Sequence, residues 1–277
     1  MYIDCHAHVF FSPFKADVID NDICREIPEP NIDFIIRMIH SAEKKGVNKI
    51  IGVISNPDDF PRYEEQLRFK NIGSVIGISR NHALKDQTHL LSLLRTEIDK
   101  SIPIGVGEIG LDYSYGFDTL SEQEKNIIKK KQQELYRRQI KLAREFEIPI
   151  VVHAGYKTDN DIVSIIKKEH AEEVGGQIHG YMSDRDLVGE LLDLGFYFSF
   201  GYLHTRENDL KNIIEITPLE RILTETDAPY HLMENPKQFI LPEDIVLIVE
   251  EIANLKDVRV KYLASQVERN VKALFRF

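Results

Sequence analysis

The chain has 277 residues and a formal net charge of −10. Such acidity excludes a protein that coats nucleic acid through a generic basic surface, because that binding rests on Lys and Arg neutralising phosphates. A hydrophobic share of 43% with 29% charged residues specifies a globular fold with a sizeable core, and the length suits a barrel of roughly 250 residues built as a single domain over 1–277.

In chain order, Tyr2 to Asp4 begin a strand that continues through His6 and His8, and its two-residue period puts Asp4, His6 and His8 on one face. Phe10 to Pro30 reads as a long loop broken by Pro13, Pro28 and Pro30, a lid or rim. Asn31 then caps a helix whose apolar residues Phe34, Ile35, Met38, Ile39 and Ala42 recur up to Gly46. Lys49 to Ile54 reads as a buried strand, Phe60 to Lys70 as helix, Ser74 to Ile78 as strand, Thr88 to Lys100 as helix and Ile104 to Val106 as strand. Ser121 to Glu145 is a long helix with Ser121 and Glu124 in capping-box register. It leads to the apolar run Pro149 to His153. The alternation continues with helix Asp159–Glu169, strand Gly176–His179, helix Asp184–Leu194, strand Phe196–Phe200, helix Arg206–Ile216 and strand Arg221–Glu225. Helices over Pro242–Asn254 and Val258–Phe275 close the chain.

About eight short apolar runs, each followed by an amphipathic helix, predict an α/β fold of the parallel (β/α)8 TIM-barrel type. The rival, an open doubly wound sheet, is expected to carry a Gly-rich phosphate loop after an early strand, and no GxGxxG or Walker pattern occurs. Cys5 and Cys24 have no CxxC spacing and read as reduced thiols of a cytoplasmic protein. With no basic stretch leading into an apolar run at the N-terminus, the expectation is neither secretion nor a membrane span.

Ligand-capable side chains collect at the ends of these runs: His6 and His8 at the first, Glu108 at the fourth, His153 at the fifth, His179 at the sixth and Asp227 after the eighth. In a barrel those ends share one face, where catalysis is built. Four imidazoles and two carboxylates suit one or two divalent ions, Zn, Mn or Mg, with Glu108 as a bridge because a carboxylate offers one oxygen to each. An ion makes a bound water far more acidic than bulk water, and Asp227 is placed to orient that water or take its proton.

His6-x-His8, Gly107-Glu108-Ile109-Gly110-Leu111-Asp112-Tyr113, Val152-His153, Ile178-His179 and Glu225-Thr226-Asp227-Ala228-Pro229-Tyr230 together resemble the TatD family of metal-dependent hydrolases, amidohydrolase-like TIM barrels. The resemblance runs down to Asn270 and Leu274-Phe275. It implies a one- or two-metal site and hydrolysis of phosphodiesters, typically DNA from the 3' end. By this match His6, His8, Glu108 and Asp227 hold one ion, and Glu108, His153 and His179 the other.

The departures from the family pattern fall where substrate is expected. Gly77-Ile78-Ser79-Arg80-Asn81-His82 stands where a Gly-x-His-Pro-His type segment is usual, and His153-Ala154-Gly155 replaces His-Ser-Arg. His179-Gly180-Tyr181-Met182-Ser183 replaces His-Cys-Phe-Ser-Gly, Ser114-Tyr115-Gly116 replaces the segment with an arginine, and Asn235 to Phe239 differs too. Candidate cations to replace the missing contacts are Arg80, Lys157, Arg185 and Arg206; Tyr113, Tyr156, Tyr181 and Tyr202 are candidate stacking faces. His204 and His231 are candidate lining residues, Asp112 a structural carboxylate beside the site, and Asp4 a group that orients a ligand imidazole. The expected substrate is single-stranded DNA or a small phosphoester, with activity that falls steeply with salt. The alternatives are hydrolysis of ester, amide or lactone bonds, including deacylation of aminoacyl-tRNA, and a non-catalytic barrel that binds a partner.

Overall fold

The computed structural model describes residues 1–10, 14–17, 24–27, 32–114, 117–155, 157–181, 185–230 and 239–277. Strand β1 (Tyr2–Ala7) is followed by an antiparallel pair, β2 (Phe14–Asp17) and β3 (Cys24–Ile27), which pairs Phe14 with Ile27 and Asp17 with Cys24. The Phe10 to Pro30 segment, expected to be loop throughout, therefore contains a hairpin. Next come α1 (Ile32–Lys44), β4 (Val47–Ile54), α2 (Tyr63–Gln66), β5 (Ile72–Ile76), α3 (Gln87–Lys100) and β6 (Gly105–Leu111). The second half runs through α4 (Glu122–Glu145), β7 (Ile150–Ala154), α5 (Asp159–Lys168), β8 (Gly176–His179), α6 (Arg185–Asp193), β9 (Tyr197–Phe200), α7 (Asn208–Ile216), β10 (Ile222–Thr224), α8 (Ile245–Leu255) and α9 (Val260–Phe275).

Eight parallel strands line up in the order β1-β4-β5-β6-β7-β8-β9-β10, with helices outside them. Strands covered on both faces are apolar along their length rather than alternating, and Ile50, Ile51, Val53 and Ile54 of β4, like Ile150, Val151 and Val152 of β7, are fully buried. No helix among the described residues is long and apolar enough to cross a membrane.

Three expected boundaries shift for local reasons. The helix expected over Phe60 to Lys70 shrinks to a 3-10 turn, Pro57–Arg62, and the four residues of α2, because Pro57 and Pro61 cannot donate to a helical ladder. The third barrel strand is Ile72–Ile76 rather than Ser74 to Ile78. The fourth runs on to Leu111, so Glu108 lies inside β6 rather than at its end, where the β6–β7 register slips between Gly107 and Ile109.

The seam between the last and first strands closes one step beyond β10. The Asp227 N–H donates to the His6 carbonyl at 2.9 Å and the His8 N–H to the Ala228 carbonyl at 2.7 Å. Below them, Thr226 donates both its N–H and its hydroxyl to the buried Asp4 carboxylate. These bonds carry Asp227 to the histidines of β1.

Two loops are braced by α4, whose start is secured by the reciprocal capping box of Ser121 and Glu124. Buried Gln139 accepts from the Ile78 N–H and donates to the Ile78 carbonyl, at 2.8 and 2.9 Å, which fixes the loop after β5. Gln132 accepts from the Asp112 N–H at 2.9 Å. Arg80 and Asp112, on those two loops, are thereby held over the barrel mouth.

Candidate metal centre

His6 and His8 come from the end of β1, Glu108 from the bulged part of β6, His153 from β7, His179 from the end of β8 and Asp227 from the closing seam. The six converge. His6 Nε2 faces His8 Nε2 at 3.3 Å, and both lie 3.6 Å from Asp227 Oδ1. His8 Nε2 is also 3.6 Å from Glu108 Oε2. The other Glu108 oxygen, Oε1, is 2.8 Å from His153 Nδ1 and 3.7 Å from His179 Nε2, and those two ring nitrogens are 3.4 Å apart.

These separations fit a cation. Around an ion with bonds of roughly 2.0–2.2 Å, neighbouring ligands of a tetrahedron sit roughly 3.3–3.6 Å apart. The His6/His8/Glu108 and Glu108/His153/His179 groups are both compact enough to hold an ion. Glu108 presents one oxygen to each group.

Burial sets the charge of two of the imidazoles. It pushes His6 and His8 below the usual histidine range, with the neighbouring His179 adding to the effect, so both stay neutral, the form that ligates. His179 is also buried, which alone would lower it, but Glu225, Asp227 and Glu108 together hold it well above the ordinary range. Burial likewise opposes charge on Glu108; hydrogen bonds from His153 and His179 and the Arg80 guanidinium outweigh it and keep the carboxylate ionised. The surrounding carboxylates thus favour storage of a proton on His179 in the metal-free site.

Glu225 carries that storage. Its Oε1 accepts from His179 Nδ1 at 3.2 Å and its Oε2 from the Ser199 hydroxyl, while Gln177 donates to Ser199 Oγ at 2.7 Å. The His179 ring stacks on His6, centroids 3.7 Å apart and planes 7° from parallel. The sequence reading gives Glu225 no role of its own and does not single out Gln177 or Ser199. The available signal is the block Glu225-Thr226-Asp227-Ala228-Pro229-Tyr230, which sets a second carboxylate two residues before Asp227. Tyr230 closes the same block, but its contact with His8, an edge-on pairing with ring centroids 4.6 Å apart, is visible only in the fold.

Arg80 reaches the site: its guanidinium lies 3.0 Å from Glu108 Oε1 and 3.6 Å from Asp112 Oδ2. Asp112 Oδ2 also lies 3.6 Å from His153 Nε2, and Asp112 Oδ1 accepts from Ser114. Lys157 is exposed just past β7. The tyrosines differ from expectation. Tyr181 is fully buried against Phe198, ring centroids 5.4 Å apart, and Tyr202 is buried beneath the Arg206 guanidinium, so neither ring offers a free stacking face. Tyr113 spends its hydroxyl on Asp161. His204 accepts from the Gly201 N–H and donates from Nε2 to the Tyr181 carbonyl, a structural pairing. Asp4 touches the Thr226 and His6 backbones rather than an imidazole, so it latches the seam. Tyr156 and His231 lie outside the described residues, as does the side chain of Arg185.

An eight-stranded parallel barrel with imidazoles and carboxylates gathered at one mouth defines the class of metal-dependent hydrolase barrels. Comparison with known proteins narrows it. Residues 3–276 match the family described as TatD related DNase. The uncharacterized metal-dependent hydrolase YabD of Bacillus subtilis is 29% identical over 282 aligned residues, covering 100% of this chain and 99% of YabD. Human deoxyribonuclease TATDN3 is 25% identical over 280 aligned residues, with 99% of this chain and 94% of TATDN3 covered. The crystal structure of YJJV, a TatD homologue from Escherichia coli K12, superimposes with a TM-score of 0.82 at 22% identity, covering 100% of this chain and 98% of that one. The chain belongs to the TatD family of metal-dependent hydrolases.

Proposed function

We propose that this chain hydrolyses phosphodiester bonds of DNA at the barrel mouth, releasing mononucleotides from the 3' end of a single strand. The observation that carries the reading is Glu108, whose two oxygens face separate groups of imidazoles while Asp227 stands 3.6 Å from the His6 and His8 nitrogens. The name of TATDN3 supports the choice of DNA, and the family match supports the metal-dependent chemistry.

His6, His8, Asp227 and Glu108 Oε2 would hold a divalent ion, and Glu108 Oε1, His153 and His179 form a second cation position. Imidazole-rich groups favour Zn or Mn, and Mg remains compatible with the carboxylates and a phosphate substrate. A divalent ion bound here supplies a Lewis acid for phosphoryl oxygen and acidifies the attacking water. Asp227 would orient the attacking water and take its proton. Glu225, by accepting from His179 Nδ1, leaves Nε2 turned toward the site. Arg80 places a guanidinium where phosphoryl charge grows, a task for which its planar fork of donors is suited.

The test is release of mononucleotides from 3'-labelled single-stranded DNA in Mn or Mg, with chelated protein and Asp227→Asn as controls. Asp227 has φ of +53°, a left-handed conformation that Asn tolerates as well as Asp, so this substitution isolates the charge. Release that is metal-dependent and falls about 10²–10⁴-fold in Asp227→Asn is expected. Absence of release from folded, metal-loaded protein overturns the DNase reading and redirects the assay to small phosphoesters, lactones and aminoacyl esters.

A further inference from the structure

The two halves of the metal centre are not equivalent. Around His6, His8 and Asp227 the ligand atoms face one another across 3.3–3.6 Å. The other half already holds a cation. Arg80 Nη1 lies 3.0 Å from Glu108 Oε1, the oxygen that His153 Nδ1 approaches to 2.8 Å and that a second ion needs. Arg80 Nη2 lies 3.6 Å from Asp112 Oδ2, which is also 3.6 Å from His153 Nε2. Guanidinium and imidazole thus alternate with two carboxylates in a closed ring of close contacts.

This position is built rather than incidental. Gln139 grips both backbone polar groups of Ile78, two residues before Arg80. Ser79 caps the short turn Arg80–His82 through the Asn81 N–H. Gln132 fixes the Asp112 backbone from the same helix. A guanidinium is permanently charged and presents a rigid fork, so it stays a cation at every working pH. An ion roughly 2.0–2.2 Å from Glu108 Oε1 would share that oxygen with the fork, and two cations so close inside a buried site repel strongly.

We propose that Arg80 is the second cation of this active site, so that the chain binds one divalent ion, in the His6/His8/Asp227 half, and the guanidinium takes the place between Glu108 and Asp112. The inference rests on the metal-site reading above. Phosphoryl charge is then met by one exchangeable ion on one side and by a fixed side chain on the other. Metal dependence of this kind follows a single binding isotherm.

The experiment counts metal and needs no substrate. Wild type, Arg80→Met, His8→Ala and His153→Ala are equilibrated with Mn, dialysed to remove excess, and analysed for Mn per chain and by electron paramagnetic resonance; circular dichroism verifies folding. Wild type is expected to hold one equivalent with the six-line spectrum of an isolated Mn ion. Arg80→Met is expected to hold two, with the broadened spectrum of a coupled pair. His8→Ala should lose the wild-type ion and His153→Ala should keep it. Two equivalents in wild type, one in folded Arg80→Met, or loss of the ion in His153→Ala but not His8→Ala, each overturn the proposal while leaving a metal hydrolase intact. No Mn or Zn in wild type overturns the metal-site reading itself. The wild-type count stands as a test even where the variant fails to fold.

Discussion

Glu225 and Asp4 are both buried carboxylates within a few residues of the ligands in space, yet they do different work. Glu225 faces a ring nitrogen: it accepts from His179 Nδ1 and so fixes the ring with Nε2 turned to Glu108 and the site. Replacing it by Gln keeps the volume and removes the charge, and the affinity for the second Mn of Arg80→Met, the ion that His179 would ligate, is expected to drop about 10–100-fold in a titration with little change in fold. Asp4 faces the backbone. Burial pushes its carboxyl up to about 8, against the hydrogen bonds from Thr226 and His6 that favour the charged form. An acid whose folded value is raised contributes stability that is fully present below its ordinary value near 3.8 and is lost as pH rises through about 8. In metal-free protein, the urea midpoint of wild type should therefore fall more steeply between pH 5 and 8 than that of Asp4→Asn, whose amide can still accept from the Thr226 N–H. Equal slopes would show that Asp4 does not titrate in that window.

Elements are placed by close approaches that a side chain would prevent. Gly110 has φ of +139°, and a Cβ there would stand 2.1 Å from the His153 carbonyl oxygen. That contact is backbone on backbone and cannot relax cheaply, so β6 must move away from β7, with Glu108 on one strand and His153 on the other. Gly110→Ala is expected to cost more than about 2 kcal/mol in denaturant unfolding and to weaken metal binding at the same time. Ser121→Ala provides the contrast. It removes the hydroxyl half of the α4 capping box, which costs about 0.5–2 kcal/mol, and should leave metal affinity unchanged because Gln132 and Gln139, which hold the site loops, lie several turns further along the helix.

At the scale of the molecule, the site and the closure of the barrel are one structure. The last strand meets the first through Asp227 to His6 and His8 to Ala228, so three of the residues that converge on the site also carry the backbone bonds of the seam. An ion held by His6, His8 and Asp227 would tie the two ends of the barrel together. Anything that binds only the folded state stabilises it by about 2.7 kcal/mol at a hundred times its dissociation constant. For a chain of this size that is about 5–10 °C in the thermal midpoint. Chelation should lower the midpoint by that much in a melting scan, and added Mn or Zn should restore it; an unchanged midpoint would mean that the seam holds without the ion.

The sequence by itself determined the alternation of strands and helices, the eight-stranded parallel barrel and the gathering of His6, His8, Glu108, His153, His179 and Asp227 at one mouth. Those properties follow from hydrophobic period and from the rule that parallel strands present their C-terminal ends together, both readable along the chain. The helix after β4 is shorter than the pattern predicts because apolar residues beyond Phe60 keep helical spacing while the prolines before them dictate a 3-10 turn. Only the tertiary structure decided that Tyr181 and Tyr202 are core residues, that Asp4 latches the seam, that Glu225 backs His179, and that Arg80 rather than another cation meets Glu108. Each of these depends on which direction a side chain leaves its strand or loop, and on a partner tens of residues away. Local pattern carries neither, because orientation at a loop is set by the packing of the helix behind it, here α4.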